Sequence, residues 1–286
     1  MLTDTHAHLD YPDYEEDFPQ VLARAKEAGV TRIVMIGTSL ESSRRVVQLA
    51  EQNSMLHAVI GVHPTSDGLF DDRVLEDLRK LATHPKVVAI GETGLDYHRL
   101  PGCEKRSHVD GVMKAMQAEV EEDMRLDIAD GAEKARQAEL FDAQLELAAS
   151  LGLNVVIHQR DAWTDTLNQI APYEGRLRGV FHCFGGTPEQ AQELEARGHL
   201  VSFTGIVTFK NAGVVRETTA AVSSDCYMVE TDCPYLAPVP YRGKRCEPAH
   251  VRLIAEKVAE LRGIPLDQVA MESEATANQF FRFSSR

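Results

Sequence analysis

Four histidines and two carboxylates stand out by where they fall in the chain. His6 and His8 are two residues apart at the end of the apolar run Leu2 to His8, so an extended strand turns both to one side. Glu92 ends the run Val87 to Glu92, His158 ends Asn154 to His158, His182 stands near the end of Gly179 to Cys183, and Asp232 ends Cys226 to Asp232. Imidazole nitrogen and carboxylate oxygen suit divalent transition metals, and this set is larger than one four-coordinate ion uses. Two ions sharing a bridging carboxylate would employ all of it, and such a pair can activate a water and stabilise both oxygens of a displacement. Glu92 is the expected bridge, because its strand lies between the His6/His8 pair and the strands carrying His158 and His182. Asp232 can bind one ion and take a proton with its second oxygen. A lone strand-end histidine is ordinarily a core-edge residue, and one HxH arises by chance. The weight comes from every ligand-type residue lying at the end of a strand.

The elements that must position these residues follow from periodicity. Eight short runs rich in Val and Ile read as strands: the five above, together with Arg32 to Gly37, Leu56 to Val62 and Leu200 to Gly205. Helical periodicity recurs between them, for example over Glu15 to Ala28, Ser42 to Gln52, Val74 to Ala82, Glu133 to Ser150, Pro188 to Arg197 and Pro248 to Arg262. Gly29, Gly152 and Gly198 stand where helices stop. Alternating strands and helices in this number predict an α/β fold, a (β/α)8 TIM barrel, in which the strand ends converge on the face where active sites form. A barrel of this length is one domain, expected over 1–286. No GxGxxG or GxxxxGK[ST] follows any strand, which excludes the usual nucleotide-cofactor sites. One connection is oversized. About 35 residues separate Asp96 from the helix near Glu133, where about 2 to 6 are usual. Val109, Val112, Met113, Met116, Val120, Met124 and Ile128 recur there at helical spacing. The spacing predicts a helical insertion at about 99–131 whose apolar stripe packs on the barrel wall, or forms a lid or subunit contact.

The order of these segments resembles the TatD family of metal-dependent hydrolases. Thr3 to Asp10, Gly61 to Pro64, Gly91 to Tyr97, Val155 to Ala162, Gly179 to Gly186, Glu230 to Pro238 and Arg242 to Pro248 look like its successive signatures and span nearly the whole chain. The resemblance implies an amidohydrolase-like TIM barrel and a deoxyribonuclease, trimming single-stranded ends in the 3′ to 5′ direction. It also implies metal roles: His6, His8, Glu92 and Asp232 for one divalent ion, and Glu92, His158 and His182 for the other. His63, Asp96 and Arg160 would line the site near the scissile phosphate. Three features depart from the pattern: the insertion, Cys233 where Ser or Ala is usual, and Cys246 where Asn commonly precedes Glu-Pro. A thiol is a poorer hydrogen-bond partner than an amide.

The leading expectation is therefore phosphodiester hydrolysis of DNA by a two-metal activated water, with Asp232 as general base. Arg160 and the cluster Arg242, Lys244 and Arg245 would hold neighbouring phosphates, although a short basic run is commonly just a solvated loop. A small ester, lactone or amide could be cut by the same site, as could a D-aminoacyl ester on tRNA, since fold does not decide substrate. A closed apolar pocket would favour the small substrates, and an open groove edged by Arg160 and Arg242 would favour DNA. A non-enzymatic scaffold is the remaining alternative, and the intact ligand set argues against it. Zn²⁺ and Mn²⁺ suit histidine-rich ligation better than Mg²⁺.

The charge bounds the mode of binding. Lys and Arg total 30 against 44 Asp and Glu, a net −14, which excludes a surface that coats nucleic acid. The acidity is uneven, however. Met1 to Gln20 holds six acids and no Lys or Arg, whereas Pro234 to Arg252 holds four basic residues and one acid. No apolar run approaches the roughly 18 residues of a membrane span, the acidic start is unlike a signal peptide, and the 5 cysteines form no CxxC, so a cytoplasmic protein is expected.

Overall fold

The computed structural model describes residues 1–66, 70–102 and 116–283, without the side chains of 116–124. Eight strands form one parallel sheet in the order of the chain: β1 (Leu2–Ala7), β2 (Val30–Ile36), β3 (Leu56–Ile60), β4 (Val87–Asp96), β5 (Asn154–Arg160), β6 (Gly179–Phe181), β7 (Leu200–Phe203) and β8 (Tyr227–Val229). The sheet closes where the chain beyond β8 meets β1: the Asp232 amide donates to the His6 carbonyl and the His8 amide to the Cys233 carbonyl, both at 2.9 Å. The result is the expected TIM barrel. Its helices are α1 (Phe18–Glu27), α2 (Leu40–Gln52), α3 (Asp72–Leu81), α4 (Met116–Leu151), α5 (Trp163–Ile170), α6 (Pro188–Ala196), α7 (Gly213–Ala221), α8 (Val251–Arg262) and α9 (Leu266–Phe281) among the described residues.

Because each strand is buried on both faces, it reads as a continuous run of Val, Ile and Leu, as parallel sheets require. Val34, Ile36, Val59, Val88, Val156, Val180, Leu200 and Met228 fill the interior, and Ala277, Phe280 and Phe281 of α9 pack against them. The Asn154 side chain donates to the Phe280 carbonyl at 2.7 Å and so fixes α9 to the start of β5. Side-chain oxygens of Ser39, Asp71 and Thr187 cap α2, α3 and α6. Gly29, Gly152 and Gly198 follow helices with φ of +90°, +64° and +81°, the left-handed stop their positions predict.

All eight expected strands are present. The helix after β4 differs: the chain is already helical at Met116, well before Glu133, and runs unbroken to Leu151. The helical insertion is therefore a forward extension of that helix. Of the expected apolar stripe, Val109, Val112 and Met113, and the side chains of Met116, Val120 and Met124, lie outside the described residues. Ile128 is 70% exposed, so at that point the stripe does not pack on the wall; Leu126 is buried instead.

Candidate metal centre and active-site cleft

The strand ends bring one titratable side chain after another to the same mouth of the barrel. His6 and His8 leave β1 on the interior side, both buried. His8 Nδ1 lies 3.2 Å from the Ile36 carbonyl at the end of β2, which places its proton on Nδ1 and leaves the Nε2 lone pair facing inward. The Nε2 atoms of His6 and His8 are 3.2 Å apart. His6 Nε2 is 3.5 Å from Glu92 Oε2 and 3.6 Å from Asp232 Oδ1, while His8 Nε2 is 3.8 and 3.4 Å from the same two oxygens.

The other oxygen of Glu92 faces a second set. Oε1 is 2.9 Å from His158 Nδ1, 2.7 Å from His182 Nε2 and 3.5 Å from His63 Nε2. His158 Nδ1 and His182 Nε2 are themselves 3.2 Å apart. Donors held about 2.0 to 2.1 Å from a tetrahedral ion lie about 3.3 to 3.4 Å from one another, so both sets fit the edges of such a polyhedron. Three overlapping groups, His6–His8–Asp232, His6–His182–Glu230 and His63–Glu92–His158, each keep their donor atoms within 4.8 Å. The residues present thus fit divalent-ion binding, with Glu92 joining two halves.

Two glycines allow β4 to approach β5 this closely. A Cβ on Gly94 would sit 2.0 Å from the His158 carbonyl, and one on Gly91 would sit 2.7 Å from that of Val156. Both have φ near +140°, at +138° and +147°, a region that side-chain-bearing residues rarely adopt. Two buried glutamines of α4 hold the same strand from outside. Gln137 exchanges hydrogen bonds with the amide and carbonyl of Asp96, at 2.8 and 3.1 Å, and Gln144 donates to Thr93 Oγ1 at 2.7 Å.

Electrostatics keep the carboxylates charged. Burial opposes ionisation of Glu92, but His182, His63 and His158 outweigh it and hold the carboxyl well below its usual range. Asp232 is held down in the same way, burial being overcome by His8, His6 and His182. His182 is raised because Glu92 and Glu230 overcome its burial. Beneath the cluster, burial pushes the Asp4 carboxyl up to about 8. That carboxyl accepts from the Thr231 amide at 2.9 Å and the Thr231 hydroxyl at 2.6 Å, tying β1 to the segment that carries Asp232.

The remaining site residues divide by surroundings. His63 Nδ1 accepts from the Thr65 amide at 3.1 Å, so its neutral ring carries the proton on Nε2, which faces the cluster. His63 presents a donor where its neighbours present lone pairs. Asp96 was expected to line the site near the substrate. It is fully buried instead, with Oδ2 at 3.1 Å from His158 Nε2, so it orients that ring from behind. Glu230, which the sequence motifs did not single out, accepts from the Cys183 amide at 2.7 Å and puts its charge 3.7 Å from His182 Nδ1, beyond hydrogen-bond length.

Arg160 is exposed at the edge of an open cleft of about 1100 Å³ that His158, Trp163, His182, Asp232 and Tyr235 also line. A smaller recess of about 300 Å³ adjoins it at His158, His182, Asp232 and Tyr235. Arg242, Lys244 and Arg245 do not line either. The Arg242 guanidinium lies over the Phe209 ring at 3.6 Å, Lys244 lies 5.9 Å from the Tyr241 ring centre, and Arg245 grips Asp17 with two bonds of 2.7 and 2.8 Å. Of the three loop cations expected to hold phosphates, Arg245 instead closes the loop against the acidic N-terminal segment, while Arg242 and Lys244 stay exposed.

Comparison with known proteins agrees with the architecture. The family model described as TatD related DNase matches residues 3–282. The chain is 36% identical to a protein of Bacillus subtilis named as an uncharacterized metal-dependent hydrolase, YabD, over 99% of this chain and 100% of that one. It is 31% identical to a Shigella flexneri protein named 3′-5′ ssDNA/RNA exonuclease TatD, over 97% of this chain and 98% of that one. The crystal structure of YJJV, a TatD homolog from Escherichia coli, superposes with a TM-score of 0.82 at 28% identity, covering 98% of both chains. With the family model matched over residues 3–282 and its relatives matched along nearly their whole length, the chain belongs to the TatD related DNase family of hydrolases.

Proposed function

We propose that the protein is a nuclease that binds two divalent ions and hydrolyses phosphodiester bonds of single-stranded nucleic acid, shortening DNA from its 3′ end. The observation that carries this reading is Glu92, whose two oxygens each face a separate set of histidines in the recess that adjoins the open cleft edged by Arg160. His6, His8, Glu92 and Asp232 would hold one ion, and Glu92, His158 and His182 the other. Bound there, divalent ions lower the pKa of a coordinated water and neutralise charge on the phosphate; the nitrogen-rich donor set favours Zn²⁺ or Mn²⁺ over Mg²⁺. The relative named as an ssDNA/RNA exonuclease supports the choice of substrate.

The chain's own groups supply the rest. Asp232 is ionised and lines the cleft, so its carboxylate takes the proton of the attacking water. Both Glu92 oxygens are enclosed by imidazoles, which leaves Asp232 the better base. His63 Nε2–H donates to an oxygen of the phosphate as its charge grows, and Arg160 holds the neighbouring phosphate. Asp96 fixes the ring of His158, and the Glu230 charge faces that of His182. The open cleft, edged by Arg160, is unlike the closed pocket that a small ester or lactone would want. A cytoplasmic setting is part of the proposal, supported by four unpaired thiols at Cys183, Cys226, Cys233 and Cys246; no helix among the described residues is long and apolar enough to cross a membrane.

The test is product analysis on an end-labelled single-stranded oligonucleotide, with and without chelator, beside a panel of esters and lactones. The expected result is chelator-sensitive shortening from the 3′ end. Turnover of the esters or lactones with the oligonucleotide left intact would contradict it.

A further inference from the structure

The cleft holds two cations that neither the sequence motifs nor the metal centre accounts for. Arg99 opens the segment expected as an insertion, and Lys134 lies just beyond that segment on α4; both line the large cleft with Arg160. All three are exposed. Among the described residues, Lys134 and Arg160 have no carboxylate within ion-pair distance, and Arg99 reaches only Asp96, at 4.0 Å. They converge around Tyr97: Lys134 Nζ lies 4.6 Å from the centre of its ring, its amide donates to the Arg160 carbonyl at 2.9 Å, and its hydroxyl donates to Asp165 at 2.9 Å. Trp163 lines the same wall, half-buried against Phe181 and Phe184. Asp96, the residue before Tyr97, touches His158, so the group stands one residue away from the metal centre.

Cations beside accessible aromatic faces suit a flexible polyanion whose bases are free to stack, since every base has a π face whatever its identity. A duplex hides those faces. We infer that Arg99 and Lys134, with Tyr97 and Trp163, form a subsite for the nucleotides of a single strand beyond the phosphate that Arg160 holds. The inference rests on the nuclease reading and extends it: this wall makes the enzyme prefer an oligonucleotide to an isolated phosphodiester. The cleft's volume, about 1100 Å³ against about 300 Å³ for the adjoining recess, gives room for more than one unit.

The test compares kcat/KM for a single-stranded hexadeoxynucleotide with that for thymidine 5′-p-nitrophenyl phosphate, which has one phosphodiester and no further phosphate. Wild type, Arg99→Ala with Lys134→Ala, and Lys134→Arg would be measured from 50 to 200 mM salt. The double variant is expected to lower the hexamer-to-diester preference about tenfold, and to flatten the slope of log kcat/KM against log salt for the hexamer by about 1.4, or about 0.7 per cation removed. Lys134→Arg should keep both. A double variant that keeps the wild-type preference and slope overturns the inference and leaves the nuclease reading intact. A wild type that cleaves the chromogenic diester and no oligonucleotide overturns both. Exposed positions make folding failure a poor explanation for a loss, and matching thermal melts would exclude it.

Discussion

Two basic regions of this molecule have the same kind of residue, but only one of them lines the cleft. In the loop after β8, Arg245 is clamped by Asp17 and stacked on Tyr14, and Arg242 is stacked on Phe209. At the cleft, Arg160 and Lys134, like Arg242 and Lys244, have no carboxylate partner among the described residues, and Lys134 lies over the Tyr97 ring; what sets them apart is that they line the cleft beside the metal-centre residues. A cation already paired contributes its charge to the fold; one left unpaired in a cleft is available to a phosphate. Position in the sequence favoured the loop, because it directly follows Asp232. Position in space favours the cleft.

The comparison has meaning only if the centre between the two regions cuts, so the largest effect is expected there. Asp232→Asn should fold with an unchanged melting temperature and lose about 10²- to 10⁴-fold in cleavage rate, measured in single-turnover reactions on an oligonucleotide. Undiminished turnover would remove Asp232 as the base.

Next comes the cleft against the loop. Arg160→Ala should lower kcat/KM for single-stranded DNA about 10- to 100-fold, the worth of a charge-assisted hydrogen bond. Arg242→Ala should change it less than about threefold, because a distant rim charge contributes mainly weak screened attraction. Equal losses from the two variants would erase the distinction between the regions.

Such measurements are best made near neutral pH, because the fold has its own acid sensitivity. His199 is buried between β6 and β7, where its Nδ1 accepts from the Gly179 amide at 3.0 Å, and burial pushes its pKa down to about 4. Unfolded, the ring titrates at its ordinary value of 6.5. As pH falls below 6.5 the unfolded chain takes a proton that the folded one refuses, so stability declines until about pH 4 and is unaffected above 6.5. The loss should reach about 2 kcal/mol near pH 5, read as a lower urea midpoint, and His199→Gln should flatten it.

The smallest effect belongs to the loop itself. Arg245→Ala breaks a pair whose two side chains are about a third exposed, so solvent screening limits the effect to a slightly lower melting temperature. A large loss of activity with stability intact would mean that Arg245 serves substrate after all.

The sequence made the barrel and its ligands legible for one reason: each is written in a few adjacent residues. A run of Val and Ile declares its strand, and the His or carboxylate at its end declares its face. What could not be read depends on partners far along the chain. Asp96 looked like a substrate contact until Gln137 and His158 were seen to enclose it. Glu230 gave no signal beside Asp232, although it faces His182. Arg245 meets Asp17 across more than two hundred residues, and no local pattern announces that pairing. The unbroken α4 is a different case: helical spacing over Met116 to Ile128 was legible, but not its continuity with the helix near Glu133, because the weak helix formers Asp127, Asp130 and Gly131 fall at the junction.

The central claim is that Glu92 joins two sets of donors into one metal site in the recess beside the cleft. Metal content after saturation with Zn²⁺ or Mn²⁺ and removal of excess ion, measured on wild type and Glu92→Gln in parallel, tests it most directly. The account predicts two ions per wild-type chain and a marked loss in the variant, with cleavage lost alongside. A wild type that retains no ion, or a variant that keeps both the metal content and the cleavage rate of wild type, would contradict it.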